Sequence, residues 1–118
     1  MGTKRTCMAL DLVDEPNLIS EYAHYHSLEG MWPEIPAGIR EAGVLDMQIY
    51  RIGSRLFMIV DFDENTDLTE AFQKMGQMPR QTEWATLMAE FQKTLPEARA
   101  GEHWAAMEPV FLLNDHMQ

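Results

Sequence analysis

Residues Val44 to Phe62 read VLDMQIYRIGSRLFMIVDF, and their reading decides the fold. Two apolar-rich runs with β-forming residues flank Gly53-Ser54, a dipeptide suited to a tight turn. Strands are therefore predicted at 44–52 and 55–62, paired as an antiparallel hairpin in mid-chain.

Toward the N-terminus, a helical stretch from Pro33 to about Glu41 ends at Gly43, the usual C-terminal glycine position. Before it, Pro16 pre-sets a helix start, and Leu18, Ile19, Tyr22 and His26 follow three-and-four spacing. Tyr22 and His26 then share one helix face, whereas His24 points nearly the opposite way. Gly30 and Pro33 interrupt the helix. RTCMALDL at 5–12, bounded by Asp14, Glu15 and Pro16, reads as a strand.

Toward the C-terminus, Leu68, Ala71, Phe72 and Met75 have helical spacing until Gly76 and Pro79 break it. A second stripe of Trp84, Leu87, Met88 and Phe91 predicts a helix from Gln81 to near Leu95-Pro96. ARAGEH reads as a loop. MEPVFLL reads as a last short strand, its Pro109 best tolerated at an edge or strand start.

The order β-α-β-β-α-β, with each helix broken once, predicts an α+β, ferredoxin-like fold: a four-stranded antiparallel sheet with helices on one face. One domain over residues 1–118 fits this length. The other sheet face is left partly apolar, with Met47, Ile49, Met58 or their neighbours exposed, so a homodimer that buries it is expected.

Composition narrows the function. The chain has 9 basic and 19 acidic residues, a net charge of −10, which disfavours nucleic acid and an anionic membrane surface as partners. A neutral small molecule or another protein fits better. The single Cys7 makes no internal disulfide, and there is neither a CxxC pair nor an HExxH helix to hold a metal. The ten methionines are dispersed, as expected of adaptable core filling. With no signal-peptide core in MGTKRTCMALDL, the cytoplasm is the expected location.

The stretch EYAHYHSLEGMWPE at 21–34 concentrates aromatic and proton-exchanging groups. Each has a packing account: Tyr22 as a core aromatic, Trp32 and Trp84 as core indoles, Glu34 as an acid favoured at a helix start. Each also has a chemical one, since His26 titrates near neutrality and an indole is a platform for the C–H face of a sugar. The serines lack a G-x-S-x-G setting, so acid–base chemistry on a neutral substrate is what remains.

EYAHYHSLEGMWPEI, the glycine-ended helix, IYRIGSRLFMIV, TEWATLM and the closing MEPVFLL together are similar to the L-rhamnose mutarotase family along nearly the whole chain. The resemblance implies a small dimeric α+β barrel that interconverts the α and β anomers of a neutral 6-deoxy monosaccharide without metal or cofactor. It implies that His26 is the proton donor and Tyr22 the sugar-binding tyrosine, with Trp84, Trp32 and Glu34 shaping or supporting the site.

Two departures concern the sugar. Where the rhamnose enzymes carry a binding tyrosine on the second strand, this chain has Met47, with Tyr50 the nearest phenol. Where they carry adjacent tryptophans, it has Trp84 followed by Ala85, and the residues SLEGM are extra. DMQIYRIGSRLFMI, TEWATLM and AGEHW are more similar to members associated with L-fucose, which is favoured over L-rhamnose. Trp104 in AGEHW is expected either to help close the site or to pack. A cofactor-free oxygenase or a non-catalytic sugar-binding module is the competing reading of such a fold.

Overall fold

The computed structural model describes residues 2–117. Its elements are β1 (Thr3–Leu12), α1 (Pro16–Tyr25), α2 (Glu34–Glu41), β2 (Val44–Ile52), β3 (Arg55–Asp63), α3 (Leu68–Gly76), α4 (Gln81–Ala89), β4 (Gln92–Lys93) and β5 (Ala105–Ala106), then a 3-10 turn at Leu113–His116. The sheet runs β2-β3-β1-β4, with β5 also on β1, and every pairing is antiparallel. That is the ferredoxin-like order expected.

Local chemistry starts and stops the elements. Gly53 turns the hairpin at φ 58°, a conformation without cost only to glycine. Pro16 opens α1, and the Glu15 carboxylate accepts from the Asn17 and Leu18 amides, which have no partner within the helix. Gly38 lets α2 approach α4: a Cβ there would stand 2.8 Å from both Gln81 Nε2 and Met78 Cβ. Among the described residues, no helix is long and apolar enough to cross a membrane.

One sheet face carries the core. Met8, Leu10 and Leu12 of β1 and Leu56, Met58, Val60 and Phe62 of β3 are buried at alternate positions. Helices α2 and α3 add Ile39, Leu68 and Phe72 at one end; α1 and α4 add Tyr22 and Met88 at the other.

Register corrects which residues occupy the open face. Met47 opposes Val60 and Ile49 opposes Met58, so of the two alternatives expected for the open face, Met47, Ile49 and Met58 themselves lie on the helix side. Their neighbours Gln48, Tyr50, Phe57 and Ile59 lie on the open face. Bidentate pairs Arg5 with Asp61 and Arg55 with Asp11 cross that face between directly opposed residues of β1 and β3.

Two further expectations fail at the C-terminal end. The last helix stops at Ala89, not near Leu95, because Phe91 turns into the core and Gln92 joins the edge of β1 opposite Leu12. MEPVFLL is not a strand. The chain reaches β1 earlier, at Ala105 and Ala106, and after Met107 donates to the Cys7 carbonyl the ladder ends at Pro109, which has no N–H. Val110, Phe111, Leu112 and Leu113 are consequently exposed.

Candidate active site

The end of α1 delivers two of the predicted residues to one place. Spaced by four, Tyr22 and His26 lie against each other along the helix face, ring centroids 4.3 Å apart and planes tilted by 32°. They form part of the wall of a cavity of about 270 Å³ between the helices and the sheet, near the lower end of the ~300–1,000 Å³ typical of small-molecule sites. A larger hollow of about 460 Å³, lined by Gly76, Thr82, Ala85 and their neighbours, carries no acid–base side chain and is a poor reaction site.

The cavity has two chemical sides. Met31, Ile35, Ile39, Met47, Ile49 and Met58 make an apolar wall. Tyr22, His26, Gln81, Gln92 and His103 supply polar groups, while Trp84 and Trp104 contribute indoles. Gln81 is buried and donates its amide to the Ile35 carbonyl at 3.1 Å, which holds it across the α2–α4 contact that Gly38 permits.

His26 Nδ1 lies 2.8 Å from the Tyr22 carbonyl oxygen. A carbonyl only accepts, so Nδ1 carries the proton, leaving Nε2 with a lone pair in the neutral ring. Burial pushes the His26 pKa down and so favours the neutral base; that same hydrogen bond opposes it by favouring the protonated ring. Burial pushes the Tyr22 phenol up, opposed by an amide hydrogen bond from Gln92, so the phenol holds its proton at neutral pH. A proton acceptor and a proton donor thus stand side by side.

Trp84 packs edge-on against His26 at 5.4 Å and against Trp32 at 5.2 Å, and it lines the cavity. Trp32 and Glu34 are not part of the lining. Instead the Arg80 guanidinium sits 4.0 Å over the Trp32 ring and 3.8 Å from Glu34 Oε1, a buried oxygen without a hydrogen bond. Trp32 packs against Trp84, and Glu34 is linked to Trp32 through Arg80. Arg80 holds a left-handed backbone at φ 64°, an unfavourable conformation for a residue with a Cβ.

Tyr50 requires a correction. It is 57% exposed on the open sheet face, donates to Gln48, and is remote from the cavity, because strand alternation sends it opposite to Met47 and Ile49. Met47 does line the cavity. Tyr25 packs on Trp84 and Phe91, and His24 is exposed. Sequence reasoning missed Gln81, Gln92 and His103, which come from a helix start, a two-residue strand and a loop without any periodic signal. Among the described residues, no three His, Cys, Asp or Glu side chains gather where they would hold a metal ion.

Residues 5–113 match the sequence profile of the L-rhamnose mutarotase family. The chain belongs to that family. Family members of that name are carbohydrate isomerases. An L-fucose mutarotase from Xanthomonas campestris pv. campestris is 35% identical over 115 residues, covering 98% of this chain and 92% of that protein. A UPF0734 protein from Dictyostelium discoideum is 36% identical over 119 residues, covering 94% and 90% of the two chains. The crystal structure of an L-rhamnose mutarotase from Formosa agariphila matches with a TM-score of 0.65 at 19% identity, covering 92% of this chain and 97% of that one. At that identity the likeness concerns the fold.

Proposed function

We propose that the protein is a mutarotase that interconverts the α and β anomers of a 6-deoxyhexose, with L-fucose favoured over L-rhamnose, and that it works as a homodimer. The observation that carries this reading is the Tyr22–His26 pair in the cavity, with Nδ1 of His26 engaged by the Tyr22 carbonyl.

Opening a pyranose requires one proton removed from the anomeric hydroxyl and another delivered to the ring oxygen. His26 Nε2 takes the hydroxyl proton as the C1 carbonyl forms. The bond from C1 to the ring oxygen breaks, and that oxygen takes the proton of the Tyr22 hydroxyl. The products are an open-chain aldehyde, an imidazolium and a phenolate. Rotation about the C1–C2 bond and reversal of both transfers close the ring on the other face. Each positioned transfer is typically worth ~10²–10⁴-fold, enough for a reaction that already proceeds slowly in water. This assignment reverses the starting role that the resemblance implied for His26: a buried neutral imidazole begins as the acceptor and becomes the donor on the return.

The sugar class is supported by the two-sided cavity. Polar groups at Tyr22, His26, Gln81 and Gln92 suit ring hydroxyls, and the Met47–Ile49–Met58 wall suits the C5 methyl of a deoxy sugar. L-Fucose is favoured because Met47 stands where a rhamnose-type tyrosine would, and because the Xanthomonas relative bears that sugar's name. The dimer is supported by the open face, where Tyr50 and Ile52 are 57% and 81% exposed and Phe57 and Ile59 are half-buried.

Saturation-transfer NMR at the anomeric protons of L-fucose and L-rhamnose tests the reading. Exchange that the protein accelerates, faster with L-fucose, is expected. No acceleration with either sugar by folded protein overturns it in favour of a binding-only module.

A further inference from the structure

His103 Nε2 lies 2.6 Å from Gln92 Oε1, and Gln92 Nε2 lies 3.3 Å from the Tyr22 hydroxyl oxygen. All three residues line the cavity, although Gln92 stands 70 positions from Tyr22 in the chain. The polarity of this line is determined by its members. An amide oxygen accepts, so His103 Nε2 must carry its proton; Gln92 then presents N–H to Tyr22, whose oxygen accepts. Among the described residues that hydroxyl makes no other hydrogen bond, so its own proton is available to the cavity. At the far end, the Thr94 hydroxyl lies 3.4 Å from His103 Nδ1, which accepts in the neutral ring.

We propose that Gln92 and His103 are positioning residues that aim the Tyr22 hydroxyl as the proton donor and stabilise the phenolate left when its proton passes to the sugar ring oxygen. Gln92 does this directly, through an N–H that bonds more strongly to an anion than to a phenol. His103 acts through Gln92 by preventing the amide from turning its oxygen toward Tyr22, where it would oppose the phenolate. The proposal rests on the reading of Tyr22 as the acid.

The backbone holds both partners in place. Gln92 is anchored by pairing with Leu12 at the edge of β1. The loop carrying His103 is tied by the Arg99 amide on the Glu102 carboxylate at 2.8 Å and the Glu102 amide on the Arg99 carbonyl at 2.9 Å. Immediately beyond His103, Trp104 packs against both halves of the core.

The test uses His103→Ala, His103→Gln and Gln92→Leu, read by anomer exchange and by NMR titration of the Tyr22 phenol in protein labelled at the tyrosine ring carbons. Loss of a hydrogen bond to a developing anion predicts a roughly 10- to 100-fold fall in kcat with little change in KM for His103→Ala and Gln92→Leu. Tyr22 should titrate at higher pH in both. His103→Gln, which keeps an N–H donor, should recover most of the rate and the wild-type titration. Wild-type titration of Tyr22 in folded His103→Ala, or a kcat within threefold of wild type, overturns the proposal. Because His103 is exposed, that variant carries the test even where Gln92→Leu does not fold. Absence of exchange in the wild type would overturn the mutarotase reading, whereas the Tyr22 titration decides the relay by itself.

Discussion

The imidazole of His26 donates from Nδ1 to the carbonyl oxygen of Tyr22, one helical turn earlier, at 2.8 Å. This contact uses a carbonyl that the end of α1 leaves without a helical partner and leaves the opposite ring nitrogen with its lone pair for the proposed base role. Removing either side of the pair should therefore stop chemistry without dismantling the fold. His26→Ala and Tyr22→Phe are each expected to slow anomer exchange by ~10²–10⁴-fold. Tyr22→Phe keeps the buried ring and loses one hydrogen bond, so chemical denaturation should find its stability within about 0.5–1.5 kcal/mol of wild type.

Burial lowers the His26 pKa from its ordinary value of 6.5, and two pH effects follow. The base is present down to lower pH than a free imidazole, so the acid limb of the kcat/KM profile should lie below 6.5. Stability shows the same sign: a depressed folded pKa means that the unfolded chain binds more protons. The His26 contribution is full above the unfolded value and is lost as pH falls through the lower folded one. Thermal denaturation of wild type and His26→Gln across this range checks it; the stability of wild type relative to the variant should level off above pH 6.5 and fall as pH drops below it.

Gly38→Ala is expected to destabilise, against the usual preference for alanine inside a helix. A Cβ at Gly38 meets Gln81 Nε2 and Met78 Cβ at 2.8 Å, and overpacking of this kind costs about 1–3 kcal/mol, more than the ~1 kcal/mol gained from helix propensity. Urea denaturation gives the sign directly. A more stable variant would mean that α2 and α4 separate freely.

The open sheet face predicts its own variant. Phe57→Glu puts a charge in the middle of the proposed dimer contact while leaving the helix-side core untouched. Sedimentation at micromolar concentration should find a dimer for wild type and a monomer for the variant, with unchanged far-UV circular dichroism. A wild-type monomer would remove the dimer.

Stability of the hydrophobic core is concentrated in β1 and β3. Leu10→Ala, at a fully buried position, should cost ~2–5 kcal/mol. Equilibrium denaturation with an unchanged slope would assign that loss to the native state.

Local chemistry was legible where it acts over a few residues. The hairpin about Gly53, the start of α1 at Pro16, and the shared face of Tyr22 and His26 all follow from turn geometry and four-residue spacing. Tyr50 shows the limit of such reading. Its nearness in sequence to Met47 suggested a shared site, but an odd offset along a strand puts the two on opposite faces. The apolar stripe ending in Phe91 likewise suggested a longer helix. Its last member reaches the core from the turn after α4, because Val13 donates to the Phe91 carbonyl at 2.8 Å and draws the chain onto β1.

What the sequence determined alone is the fold class, the element order through α4 and the pair of residues at the end of α1, since these follow from patterns that repeat within a turn or a hairpin; the strands after α4 it did not place. Only the tertiary structure decided which residues complete the site. Gln92 and His103 reach Tyr22 across the sheet edge, and Gln81 reaches the cavity because Gly38 lets two helices close. No periodicity encodes these meetings; they exist because packing a single core brings distant, individually unremarked polar side chains to one wall.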